Sequence, residues 1–405
     1  MRDVFRTFVH LHPTIKLLLL GNILVFIGVS MTTPFLAIYL SKQLGLSATL
    51  IGTIIGSGSI AGIVGGFIGG VLSDRFGYKP LLVLSLLITG ANYFGYTVVD
   101  RIFPLSLLVL SAGFSNAVFQ TVSRTLIAEL TQKQERSTAF SFLNFTLNVG
   151  WAIGPLLAVG LDVAATMTPF LISAAIFCLY GFLLLLVLRA AKPQNAIGEA
   201  PEQMSFGQVC KMIMNDANLR LYVIGGILLM TGLGQFTALL SQHLAKTFAN
   251  GTSIFSILLA INALFIVVFQ LPLASFTAKK HSSYLIKLGI TLVACGLVGF
   301  GVSPTALMLY GAMVIFSLAE AIVAPLQSTI LDEIAPASHK GAYFGAQNIT
   351  FLGAFLSPVM GGFLLDEYGG TVMYLVLASL NFMSMYFFLK CLKKAQFHGK
   401  ATHPV

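Results

Sequence analysis

One carboxylate stands apart in this sequence: Glu320, in Ser317-Leu318-Ala319-Glu320-Ala321, lies about midway along an apolar run that continues to Pro325. In a bilayer-crossing helix an ionised acid at that depth costs roughly 2.5–3.5 kcal/mol even on insertion scales, so an acid kept there points to function. A lone carboxylate in apolar surroundings suits reversible protonation and attracts a cationic ligand. Its structural alternative is a neutral Glu hydrogen-bonded to a neighbouring helix. Arg124 stands about two helical turns before the end of another apolar run. It either snorkels to the interface or faces a cavity, where its guanidinium favours an anionic or zwitterionic ligand. Asn116, Gln120, Asn148, Gln235 and Asn348 also fall within apolar runs. They are candidates for a cavity wall, or act as hydrogen-bonding glue between helices.

Other chemistries lack their residues. The 7 His, from His10 to His403, lie in tails or at run ends, so no metal cluster or His-based acid–base pair can form within the runs. Cys178, Cys210, Cys295 and Cys391 have no ligand or redox spacing. No Walker-type phosphate loop points to ATP, and no carbonyl filter or charged ring points to a channel. An enzyme, a metal site and a bound cofactor are therefore not expected.

The segments that carry these residues are apolar throughout. Hydrophobic residues make up 57% of the 405 and charged ones 9%, where soluble domains carry about 25% charged residues. A helix needs roughly 20 apolar residues to cross the hydrocarbon core, and twelve such runs can be drawn, near 17–39, 50–73, 80–99, 102–130, 137–161, 163–188, 221–242, 253–278, 283–302, 305–331, 341–365 and 368–389. With Met1 in the cytoplasm, all of the 23 Lys and Arg fall on that side except Lys42, Arg101 and Lys246. That asymmetry follows the positive-inside rule, places both termini in the cytoplasm, and makes the net charge of +9 a topology signal rather than a sign of nucleic-acid binding. The first run is too long for a signal-peptide core and is expected to be retained.

The polar stretch 190–220, with Pro193, Gly198 and Pro201, reads as a cytoplasmic linker between a bundle in 1–189 and another in 221–405. A repeat supports the division. At one constant offset Gly21, Leu24, Gly28, Thr33 and Leu36 fall on Gly225, Leu228, Gly232, Thr237 and Leu240, and Glu129 and Asn144 on Glu333 and Asn348. After a one-residue shift, Gly150 and Pro155 meet Gly353 and Pro358. Parallel duplication of six helices is an architecture of secondary transporters.

The second run ends in Gly70-Val71-Leu72-Ser73-Asp74-Arg75-Phe76-Gly77-Tyr78-Lys79. This resembles the signature loop of the major facilitator superfamily, Gly-x-Leu-Ala-Asp-Arg-x-Gly-Arg-Lys, with Tyr78 in place of the second Arg. The resemblance implies a conformational latch of Gly70, Asp74, Arg75, Gly77 and Lys79, with Glu129 as its acid on the fourth run. The matching stretch of the second half, Ala274 to Lys280, has no acid, so the latch is expected on one side only. The fifth run carries Gly150-x-x-x-Gly154-Pro155 and the eleventh Gly353-x-x-x-Ser357-Pro358. Small residues four apart permit close packing, and an interior Pro leaves a carbonyl unpaired and favours a bend. The first is similar to the antiporter motif of drug:proton exporters in that superfamily, with Ala158 and Val159 replacing its last two glycines. Some of those exporters carry a Glu at a place similar to Glu320, before a Pro.

The expectation is an all-α membrane protein of twelve transmembrane helices in two pseudo-symmetric six-helix bundles, the major facilitator fold. The resemblance implies a proton-coupled exporter of small amphipathic or cationic compounds, working by alternating access in a bacterial cytoplasmic membrane. Its energy source is the proton gradient, its partners are a small-molecule substrate, protons and membrane lipid, and it is expected to be a monomer. The alternative is a dedicated exporter of an endogenous metabolite, such as a siderophore or other metal chelator; uptake is a third reading.

Overall fold

Within hydrocarbon every backbone N–H and C=O must be paired inside the protein, so long apolar segments fold as helices. A computed structural model describes residues 11–131, 136–160, 166–188, 206–277, 280–336, 343 and 346–401. Its first helices are α1 (Pro13–Leu44), α2 (Ala48–Phe76), α3 (Tyr78–Val98), α4 (Ile102–Leu130), α5 (Arg136–Gly160) and α6 (Thr168–Val187). There follow α7 (Phe206–Asn215), α8 (Ala217–Leu233), α9 (Leu239–Thr247), α10 (Gly251–Thr277), α11 (Ser282–Val302), α12 (Ala306–Ile334), α13 (Leu352–Glu367) and α14 (Gly369–Ala401). Among the described residues 10 helices are long and apolar enough to cross a membrane, and the shorter apolar helices Phe142–Ala158 and Ala217–Leu233 complete the twelve segments.

The chain divides into two compact units, Met1–Leu44 with Ser57–Ile197, and Gly45–Gly56 with Gly198–Val405. In the first, α1 packs on α5 and α6, and α3 packs on α4 and α6. In the second, α8 packs on α13 and α14, and α11 packs on α12 and α14, with α10 against α12. The same pairing order in both units is the structural form of the sequence repeat. It holds to the level of single contacts. A Cβ on Gly150 would lie 2.4 Å from Phe26 Cβ and 3.0 Å from the Ile23 carbonyl oxygen, and one on Gly353 would lie 2.1 Å from the Ile227 carbonyl oxygen and 2.7 Å from Met230 Cβ. These partners are related by the offset that relates Gly21 to Gly225. Only a residue without a side chain lets the two backbones approach this closely.

Several segments differ from a plain run of apolar residues. The seventh run breaks at a 3-10 turn, Gly234–Thr237, between α8 and α9, where Gly232 and Gly234 lower helix propensity and Gly234 sits against Ala354. The eleventh contains a 3-10 turn, Asn348–Phe351, immediately before α13. The polar stretch expected as a linker contains α7; its residues 190–205 lie outside those described. α8 is capped by Asp216, whose Oδ1 accepts from Asn218 N at 2.7 Å and Leu219 N at 3.0 Å. Buried Tyr343 donates to the other oxygen of that carboxylate.

Aromatic side chains fill both interiors. Tyr93 meets Phe177 edge-on with centroids 5.3 Å apart, and Tyr96 meets Phe170 at 5.9 Å. Phe300, Phe316 and Tyr374 form the corresponding cluster in the second unit. Leu186 is 82% exposed, Leu307 79% and Phe103 74%; apolar surface of this kind suits contact with lipid tails.

Candidate functional site

In the second unit Glu320 sits on α12 and its Oε2 accepts from Asn262 Nδ2 on α10 at 2.8 Å. The same amide also donates to Ser317 Oγ at 3.1 Å, one turn earlier on α12. Ser317 is fully buried and donates in turn to the Met313 carbonyl at 2.8 Å. One neutral donor, Asn262, therefore holds one oxygen of the carboxylate, and Glu320 is half-buried. Pro325 lies within the same helix, where its missing N–H weakens the backbone ladder. The site combines an orientable carboxylate with a proline inside a continuous helix.

The other polar residues separate into those near an opening and those in the core. In the first unit Asn22, Phe26, Gln120, Ser123, Arg124, Leu143 and Leu147 line one small recess. Gln120 Nε2 donates to Asn116 Oδ1 at 3.2 Å, and Asn22 Nδ2 donates to Thr146 Oγ1 at 2.9 Å. Asn148 is half-buried on α5. Gln235 is fully buried and accepts from the Tyr374 hydroxyl at 2.9 Å, which is a packing arrangement. Asn348 is exposed in the 3-10 turn before α13. Sequence reasoning grouped these residues; the structure joins Arg124, Gln120 and Asn116 and leaves Gln235 in a different environment.

At the end of α2, Gly77 adopts φ 81°, a conformation that favours glycine, and its N–H donates to the Ser73 carbonyl at 2.9 Å. Ser73 Oγ donates to the Gly70 carbonyl at 2.6 Å. Arg75 is exposed, its guanidinium 5.3 Å from the centroid of the Phe76 ring, and Lys79 is half-buried. Glu129 is exposed and, among the described residues, makes no ion pair with Arg75 or Lys79. The side chain of Asp74 lies outside the described residues. Pro155 and Pro358 lie inside α5 and α13, and Ser30 Oγ on α1 donates to the Gly150 carbonyl at 2.9 Å, tying α1 to the small-residue segment. A Cβ on Gly154 would fall 2.7 Å from the Ile27 carbonyl oxygen and 2.9 Å from Met31 N.

One cluster was missed from sequence. Asp366, near the end of α13, accepts from Ala48 N at 3.1 Å, Thr49 N at 2.8 Å and Thr49 Oγ1 at 2.8 Å, and pairs with Lys246 Nζ at 3.0 Å. It caps the first turn of α2 from a distant part of the chain, and all four residues belong to the second unit. Nothing local links Thr49 to Asp366; the available signal was the absence of any acid in the first turn of α2.

A family model described as Major Facilitator Superfamily matches residues 18–351 and 222–402. The chain is 27% identical to the MFS-type transporter YqjV of Bacillus subtilis over 382 residues, covering 93% of each. It is 24% identical to a Na(+), Li(+), K(+)/H(+) antiporter of Planococcus maritimus, covering 85% of this chain and 88% of that one. It is also 23% identical to the multidrug resistance protein MdtH of Escherichia coli, covering 86% of each. The solved nucleoside transporter NupG shares the fold with a TM-score of 0.80 at 17% identity, over 94% of this chain and all of that one. A helical, multi-pass fold, its internal repeat and these matches identify a transporter of small molecules rather than an enzyme, and the chain belongs to the Major Facilitator Superfamily.

Proposed function

We propose that the protein exports small amphipathic or cationic compounds in exchange for protons, with Glu320 as the group that holds either the proton or the positive charge of the substrate. The observation that carries this reading is the pairing of Glu320 with a neutral donor, Asn262, at 2.8 Å. An amide orients the carboxylate without neutralising it, and among the described residues no cation is paired with Glu320. One carboxylate cannot satisfy a proton and a substrate cation at once, so each binding event displaces the other, which is the thermodynamic core of exchange. The names of two relatives, a cation/proton antiporter and a multidrug resistance protein, support the same reading.

The distribution of Lys and Arg supports both termini in the cytoplasm, and the bacterial relatives support a bacterial cytoplasmic membrane. On that orientation Asp74, Arg75 and Gly77, with Gly70, Lys79 and Glu129, form a cytoplasmic latch. Gly150, Gly154 and Pro155, with Gly353 and Pro358, are the packing elements about which helices bend during alternating access. The proton gradient supplies the energy, lipid is the surrounding partner, and the working unit is a monomer.

The test is proton release from acidified inverted vesicles on addition of lipophilic cations, with the natural protein and with Glu320→Gln. Substrate-dependent release that disappears in the variant is expected. Release that persists in Glu320→Gln removes Glu320 as carrier, and no response to any cation removes the cationic substrate class.

A further inference from the structure

Arg124 is the unexplained charge of the first unit. It lies on α4, is exposed, and has among the described residues neither a carboxylate nor a hydrogen-bond partner. Its neighbours come from three helices of one bundle: Asn22 and Phe26 from α1, Gln120 and Ser123 from α4, Leu143 and Leu147 from α5. A snorkelling arginine runs along a lipid-facing surface towards head groups, whereas this one borders a recess with two amides. Ser123, 1% exposed, lines the same recess and its Oγ has no partner among the described residues. A buried hydroxyl left unpaired costs free energy unless something fills the place of its partner. The recess has room for about one water-sized group, which matches one oxygen of an acidic group, the rest of which would lie outside it beside Arg124.

We infer that the recess beside Arg124 binds an acidic group of the transported compound, a carboxylate or phosphate, so that amphoteric molecules are favoured over purely cationic ones. A guanidinium keeps its charge at any working pH and offers a planar fork that fits a carboxylate; Ser123 and Gln120 supply further donors to the same oxygens. The inference rests on the reading of the chain as a transporter of small molecules and names their second functional group. It does not depend on proton exchange.

The test is equilibrium binding to the full chain in phosphatidylcholine nanodiscs, using tetramethylrhodamine, which has a free carboxylate, and its methyl ester, which has the same cationic ring system. Binding needs no proton gradient, so a failure of the exchange reading leaves the result interpretable. The natural protein is expected to bind the acid about tenfold more tightly than the ester, as a charge-assisted hydrogen bond provides. Arg124→Gln should remove that preference and Arg124→Lys retain part of it. Ser123→Ala, a smaller change that keeps the fold testable, should lower the preference about threefold. Equal affinity for the two dyes, no saturable binding of the acid, or a preference untouched by Arg124→Gln overturns the assignment. A preference that vanishes when phosphatidylglycerol replaces half of the phosphatidylcholine gives the recess to a lipid phosphate and also overturns it.

Discussion

Glu320 and Asn262 form a pair whose two members have different work. In the proposed exchange Glu320 carries the charge and Asn262 positions it, through bonds of 2.8 Å to the carboxylate and 3.1 Å to Ser317. A hydrogen bond to a charged group is worth about 1.5–3 kcal/mol, so Asn262→Leu is expected to lower exchange turnover about tenfold or more at saturating substrate. Asn262→Gln should restore part of it, and its pH profile should move towards that of the natural protein. Turnover measured in vesicles with matched protein levels checks this, and full activity in Asn262→Leu would end the positioning role. Sequence pattern singled out Glu320 because of its depth in an apolar run. It gave Asn262 no priority over other amides, because a partner on another helix is set by packing.

Glycine contacts determine how the helices meet. Gly154 lies against backbone atoms of α1 that cannot move aside without moving the helix, so Gly154→Ala is expected to destabilise by about 1–3 kcal/mol. Gly66 provides the control: a Cβ there would meet only Thr121 Oγ1 at 3.4 Å, and replacing a helical glycine by alanine gains roughly 0.5–1 kcal/mol. Thermal unfolding of both variants in one detergent should show a lower midpoint for the first and an equal or higher one for the second. The first turn of α2 gives another case. Ser47 Oγ accepts from Leu50 N at 3.3 Å, and Asp366 takes the Ala48 and Thr49 N–H groups that Ser47 leaves; loss of a capping side chain costs about 1 kcal/mol. Asp366→Ala is expected to loosen that turn and speed maleimide labelling of a buried reporter, Ile51→Cys, severalfold over the background of the native cysteines. Unchanged labelling would show that the turn does not depend on the acid.

Across the whole molecule, apolar exposure and charge asymmetry describe one object from two sides. Leu186 and Leu307, each about four-fifths exposed, suit a hydrocarbon surround, and the Lys and Arg distribution predicts an orientation within it. A fluorescent-protein fusion after Val405 should fluoresce, and an alkaline-phosphatase fusion there should be inactive, because the C-terminus is expected in the cytoplasm. The reverse pair of results would invert the topology and the latch assignment with it.

Composition and periodicity made the helical fold and the approximate spans legible, because each follows from local free energies: burial of apolar residues and satisfaction of backbone groups in a bilayer; the duplication of six helices was legible from one constant offset. The matching of Gly150 with Gly353 could also be read directly, since close helix approach leaves the same small residues wherever it recurs. What tertiary structure alone decided is which polar side chains share a place. Gln235 and Gln120 look alike as amides in apolar runs, yet one is fully buried against Tyr374 and the other borders the recess of Arg124. Asp366 and Thr49 are far apart in the chain and meet only because α13 ends beside the start of α2. Such pairings depend on helix rotation and on contacts of long sequence separation, for which a one-dimensional pattern contains no signal.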